Sequence, residues 1–158
     1  MIFQIKRYIK FLIKSTNQHG VHSPFVYDLV TKCFYAEKNY PEHASYNKKQ
    51  RLFLRIVDYF KPKTVWAVSD YPIDVPWKET FELASFPKPD LKNFENLLPT
   101  LTNDSVWVFG RIHENTENEK IWKQIIQHEK VTVTVDTFYF GLVFFRKEQE
   151  KEHFTIRV

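Results

Sequence analysis

Apolar residues recur along the start of the chain with the period of a helix. On a wheel at about 100° per residue, Ile2, Ile5, Tyr8, Ile9, Leu12 and Ile13 gather on one side of residues 2–14. Lys6, Arg7, Lys10 and Lys14 gather on the other, with Phe3 among them. The pattern predicts a basic amphipathic helix. Its simplest placement docks the apolar side on the chain's own domain and leaves the basic side in solvent. The alternative is a helix that lies on a membrane surface or binds a partner.

Residues 15–20 are polar and turn-like. Ser23 and Pro24 then open a second helix as N-cap and first-turn proline, with Phe25, Val26, Leu29, Val30 and Phe34 along it. The two helices predict a helical hairpin. After a polar stretch at residues 40–47, Leu52, Phe53, Ile56, Val57 and Phe60 mark a third helix that Pro62 stops.

From there extended and helical patterns alternate. Residues 64–68 read as a short buried strand and residues 80–86 as a weaker one. Asp90 caps a helix with Leu91, Phe94, Leu97, Leu98 and Leu101 on one face, and residues 105–109 form the next strand. Thr116 caps a helix whose Trp122 and Ile125, with Ile121 and Ile126, are expected to anchor it on a sheet. Residues 131–139 and 142–146 read as an antiparallel pair about Gly141, and Phe154, Ile156 and Val158 alternate on a last strand. Strands interleaved with helices imply an α/β layered fold around a largely parallel sheet. A helical segment at 1–47 precedes an α/β domain at 48–158.

Composition narrows the class. Fifteen Phe, eight Tyr and four Trp in 158 residues argue against disorder. The single cysteine, Cys33, excludes an internal disulfide and offers no zinc pair; beside Val30 and Phe34 it reads as a buried thiol rather than a nucleophile. Basic residues interrupt the first apolar run, so it is no signal-peptide core, and no later run approaches roughly 20 apolar residues. The cytoplasm is the expected compartment, with a peripheral place at the inner membrane surface as the alternative. The net charge of +4 hides an asymmetry: residues 1–62 carry eleven Lys or Arg against four acids, residues 63–158 twelve against fifteen. The aromatics of the basic front third fall on helical core faces, which makes nucleic acid an unfavoured partner.

Four segments carry a resemblance. LLPTLTNDSVWVFGRIH and IWKQIIQHEKVTVTVDTFYFGLVFFRKEQEKEHF are similar to the closing part of a bacterial class I S-adenosylmethionine-dependent methyltransferase family, where a strand, a helix and an antiparallel pair complete the sheet. KSTNQHGVHSPFVYDLVTKCF resembles the helical segment before the catalytic domain in that group, and LFLRIVDYFKPKTVWAV the helix and first strand that lead into its cofactor loop. The resemblance implies a Rossmann-like sheet.

The departures from that family bear on function. The family's first strand runs into a glycine-rich turn that lets the backbone approach the cofactor. Here Val68 is followed by Ser69, Asp70, Tyr71 and Pro72, and the only glycines are Gly20, Gly110 and Gly141. About ten residues separate the first two predicted strands, too few for the intervening strands and helices the family would place there. Where the similar enzymes place acidic residues after the strand at 105–109, this chain has Gly110, Arg111, Ile112 and His113. Arg111 neither ligates a cation nor acts as a base near neutral pH. Arg111 and His113 are instead a candidate residual anion or ligand site.

Other chemistry is weaker. His19 and His22 would share a metal only on a helix, which Gly20 disfavours, and Asp70, Asp74, Glu79 and Glu82 lack a fixed spacing for acid/base work.

The expectation is a reduced Rossmann-like methyltransferase sheet with an N-terminal helical hairpin and a C-terminal antiparallel strand pair. It has no catalytic, cofactor-binding or metal residues, needs no cofactor, and serves as a protein-interaction module. Residual S-adenosylmethionine-dependent methyltransferase activity is one alternative; membrane or nucleic-acid binding through the basic helix is another. Loss of the outer strands would leave residues 64–68 as an exposed edge able to pair with a partner or a second copy. Val65 and Trp66 on that edge are therefore candidate interaction residues. Lys6, Arg7, Lys10 and Lys14, on a helix expected close by, complete the set.

Overall fold

The periodic patterns resolve into five α-helices and six strands in a computed structural model that describes residues 2–38, 41, 45–67 and 82–158. The helices are α1 Ile2–Lys14, α2 Pro24–Leu29, α3 Lys48–Phe60, α4 Leu91–Leu97 and α5 Thr116–Gln127. The strands are β1 Val65–Ala67, β2 Leu83–Phe86, β3 Val106–Gly110, β4 Val133–Asp136, β5 Phe140–Phe144 and β6 Glu152–Thr155. Tyr40, Val68, Ser69, Asp70, Tyr71, Pro72, Asp74, Glu79 and Thr80, on which several expectations above rest, lie outside the described residues.

The sheet order is β1-β2-β3-β5-β4-β6. β1, β2 and β3 run parallel, β5 is inserted antiparallel between β3 and β4, and β6 runs parallel to β4 at the far edge. The period of two sorts the strand residues between two helical layers. Leu83, Val106, Val108, Val135, Leu142 and Phe144 share a core with Val26, Leu29 and Phe34 of the α2 region and Leu52 and Ile56 of α3. Ala84, Phe86, Trp107, Phe109 and Val143 point the other way, under Phe94 and Leu97 of α4 and Trp122 and Ile125 of α5. Trp122 and Ile125 anchor α5 as expected, at 3% and 0% exposed.

Local chemistry sets the helix ends. Ser23 Oγ accepts the Val26 N–H and Pro24 fills the first turn of α2, which continues as one π-turn over Val30–Phe34. Cys33 is buried there, donates to the Arg55 carbonyl at 3.4 Å, and is pushed up to about 12 in pKa, chiefly by burial. Asp90 caps α4 as expected. The cap of α5 is Asn115, whose Oδ1 accepts the Asn118 N–H at 2.8 Å, and Thr116 is the first helical residue rather than the cap.

α3 opens on a reciprocal box: Asn47 Oδ1 accepts the Gln50 N–H at 3.0 Å, and Gln50 Oε1 accepts the Asn47 N–H at 2.9 Å. Asn47→Ala is expected to cost about 1 kcal/mol in urea unfolding with an unchanged denaturant slope. An unchanged midpoint would show that tertiary packing alone holds the start of α3.

Three expectations are corrected. Gly141 lies inside β5, and the β4–β5 reversal is made by residues 137–139. There Asp136 Oδ1 accepts the Phe138 N–H at 2.8 Å and Phe138 adopts φ 68. The glycine answers a close approach instead, since a Cβ on it would stand 2.5 Å from the Trp122 ring. The described part of the expected buried strand at 64–68 is not buried: β1, Val65–Ala67, ends the sheet among the described residues, Val65 is 55% exposed and Trp66 is half-buried. Finally, α1 is held by partners outside the expected helical hairpin. α1 sets Tyr8 and Phe11 on Phe138 and Arg7 on Glu119, and the next residues hydrogen-bond along the end of β6 through Thr16 and Ile156. The basic helix therefore sits beside β4 and β6, with β5, β3 and β2 between it and the β1 edge.

Candidate functional site

β3 and β4 are both antiparallel to β5 and so parallel to each other, and their carboxyl ends open on the same side of the sheet as that of β6. Open α/β sheets gather ligands on that side. Asp136 and Thr155 close β4 and β6, His113 follows β3, and α1 lies across them to enclose a pocket of about 280 Å³.

His113 is the centre of the pocket's charge. Its Nδ1 lies 3.1 Å from Glu119 Oε1 and its Nε2 lies 2.7 Å from Asp136 Oδ2. A neutral imidazole has one N–H, so only the imidazolium donates to both carboxylates. Burial, the largest single influence, disfavours that charge. The hydrogen bonds and charges of Asp136 and Glu119 together outweigh it, and the pKa of His113 is raised above the ordinary histidine value. The ring lies nearly parallel to Phe138 at 5.2 Å and meets Phe11 edge-on at 6.3 Å. Glu119, in the first turn of α5, also takes Arg7 Nη1 at 2.8 Å. Arg7 and His113 thus neutralise the pocket's two carboxylates.

The rest of the lining divides into an apolar wall and a set of cations. Phe11, Trp122 and Ile126 form the wall, and the buried Trp122 Nε1–H has no acceptor. Lys10 and Lys14 of α1 and Lys123 of α5, all exposed, border the pocket, and His153 stands at it with its Nδ1 2.7 Å from Thr134 Oγ1.

The same contacts reverse the expected orientation of α1. Phe11, at 5% exposed, and Arg7 are the inward residues, whereas Ile5, Ile9 and Ile13 of the apolar stripe are 54%, 52% and 80% exposed. A buried aromatic cluster and a shielded ion pair hold the helix by its basic side. Its apolar side faces solvent.

Of the two residues expected to form a ligand site, His113 is in the pocket and Arg111 is not. Arg111 is exposed with φ 52, and its carbonyl accepts Asn118 Nδ2 at 2.8 Å, so it shapes the loop. Glu119, Asp136 and Lys123 were not singled out by sequence. Asp136 carried a signal, as a carboxylate closing an otherwise apolar strand, because a buried acid must find a partner. Lys6 stands on the exposed surface of α1, apart from the pocket lining. His19 and His22 are exposed, and among the described residues no group of three or more His, Cys, Asp or Glu side chains is placed so that it could hold a metal ion. Glu82 Oε2 accepts the Lys63 N–H at 2.7 Å, a structural role. No helix among the described residues is long and apolar enough to cross a membrane. Compared with known proteins, the chain matches no family model, and no curated protein or solved structure is a significant match.

Proposed function

We propose that this chain is a non-catalytic, methyltransferase-like interaction module that docks a protein partner through the outward face of α1. The observation that carries the reading is the direction of the apolar stripe. Phe3, Ile5, Tyr8, Ile9 and Ile13 are five of the seven large hydrophobic residues exposed among the described residues. Scattered exposure is ordinary, but Ile5, Ile9 and Ile13, at successive i, i+4 positions, form a continuous outward stripe, and such a stripe marks an interaction face.

Charge selects the occupant. Lys6 and Lys10 flank the stripe and α1 contains no acidic residue, so an apolar groove with an acidic rim complements it, read as anchors at i, i+4 and i+8. A second copy of α1 would set lysines against lysines. The exposed Val65 on edge strand β1 is a lesser candidate surface.

Two observations support the rest of the reading. A parallel run β1-β2-β3 followed by an antiparallel β5 between β3 and β4 fits the reduced methyltransferase-like sheet, to which β6 adds an edge. Both nitrogens of His113 are engaged by carboxylates, so neither has a lone pair with which to accept a substrate proton. Titration with S-adenosylmethionine is expected to give no saturable heat, and micromolar binding would replace the non-catalytic reading.

The docking face is tested by a photo-crosslinking residue at Ile9 in the native host. A single protein adduct is expected, lost on Ile13→Glu, with the stability of that variant unchanged within about 0.5 kcal/mol because the site is exposed. Flotation on anionic vesicles, abolished by Ile13→Glu, would give α1 to a membrane instead. Retention of the adduct in the variant would overturn the assignment to this stripe.

A further inference from the structure

The pocket beneath α1 has more positive charge than its own structure uses. Glu119 and Asp136 are both engaged by Arg7 and His113. Lys10, Lys14 and Lys123, which border the same space from two different helices, have no acidic partner among the described residues. Ammonium groups on a convex surface diverge into water. Here they border a concavity of about 280 Å³ with an apolar wall of Phe11, Trp122 and Ile126. A concave, partly dry site whose surplus charge is of one sign concentrates the field and attracts a counter-ion. Carboxylates already paired with cations do not repel it.

We propose that this pocket binds a small phosphate monoester, with the phosphate held among Lys10, Lys14 and Lys123 and the organic group resting on Phe11 and Trp122. The dianion of a phosphate monoester suits three lysines bordering one pocket better than a monocarboxylate, because it offers two charges and three acceptor oxygens. Two of the three lysines belong to α1, and bound phosphate would tie that helix to α5 through Lys123. The docking stripe of Ile5, Ile9 and Ile13 is a different face of α1, with Lys10 at the border between the two.

Phenyl phosphate is the probe, titrated into the full chain while Trp122 fluorescence is followed, with Trp122→Phe to identify the responding indole. Saturable binding is expected, stronger than that of inorganic phosphate and weakening as salt is raised. Lys10→Ala and Lys123→Ala should each weaken it about ten-fold, the loss expected for one charge-assisted contact. Lys92→Ala on α4 should leave it unchanged. Both pocket lysines end at the surface, so their variants should keep the wild-type melting temperature, which is checked first.

Vesicles bearing a phosphomonoester lipid headgroup form a second arm. Binding there that depends on Lys10 and Lys123, without binding of phenyl phosphate, would make the headgroup the source of the same chemistry. Ile13→Glu should leave phenyl phosphate binding intact, so failure of the docking reading and failure of this one are separable. No saturable binding of either probe, or binding indifferent to Lys10 and Lys123, overturns the proposal.

Discussion

Trp107→Ala should lower stability by about 3–5 kcal/mol, the usual cost of deleting a large aromatic from a packed core. Trp107 is 0% exposed on β3 and contacts Phe86 at 5.7 Å, Phe94 at 5.3 Å and Phe145 at 4.7 Å between ring centroids. It therefore joins β2, α4 and the end of β5 in the layer beneath α4 and α5. For a chain of this size the loss corresponds to about 6–20 °C in melting temperature. Trp107→Phe makes the comparison sharper. The indole Nε1–H is buried without an acceptor, and its removal recovers about 1–3 kcal/mol of unpaid desolvation against the smaller loss of volume. The phenylalanine variant should therefore lie much closer to wild type than the difference in ring size suggests. Equal losses for Phe and Ala would mean that the indole donor is satisfied, by water for example.

Asp136→Ala should cost about 3 kcal/mol near pH 6, because it leaves a buried imidazolium with one of its two carboxylates missing. The Asp136 side chain is 8% exposed, accepts from His113 Nε2 at 2.7 Å and accepts the Phe138 N–H at 2.8 Å. The sign with pH follows from His113. Its folded pKa is raised, so its contribution to stability is complete below the ordinary histidine value of about 6.5 and is lost as pH rises through the folded value. The cost of Asp136→Ala should accordingly be larger at pH 6 than at pH 9, because the charged part of the contact declines as pH rises. Urea unfolding at the two pH values measures the difference. Glu119, Arg7, Lys14 and His153 share the neighbourhood, and His113→Gln, which keeps a polar side chain without the charge, isolates the part owed to His113. An equal cost of Asp136→Ala at both pH values would show that the ring does not change its charge between them.

The candidate site was only partly legible. Lys6, Arg7, Lys10 and Lys14 stood out as a basic helix face, and His113 as a residue after a strand end. Nothing local indicated that Arg7 would turn inward to Glu119 while Ile9 and Ile13 turned outward. A helical wheel reports which residues share a side, and the simplest assumption buries the apolar one. The opposite outcome depends on Phe11, within the basic half, finding Phe138 and His113, and on Arg7 finding an acid more than a hundred residues away. Arg111 and His113, two positions apart, were read as one site. The left-handed backbone at Arg111 sends them to different places.

The sequence by itself determined the elements and their order: helices opening at Ser23 and Asp90, the apolar faces of α3 and α5, the alternation of strands with helices, and hence the α/β class. These are matters of period and capping, decided by neighbours within a turn or two. Only the tertiary structure decided that β5 lies between β3 and β4, that Gly141 serves a close approach of Trp122 rather than a turn, that α1 crosses to the β4–β6 side, and that His113 bridges Glu119 and Asp136. Each of those outcomes is a contact between residues far apart in the chain. Its free energy depends on burial and charge pairing that exist only once the layers have closed around the sheet.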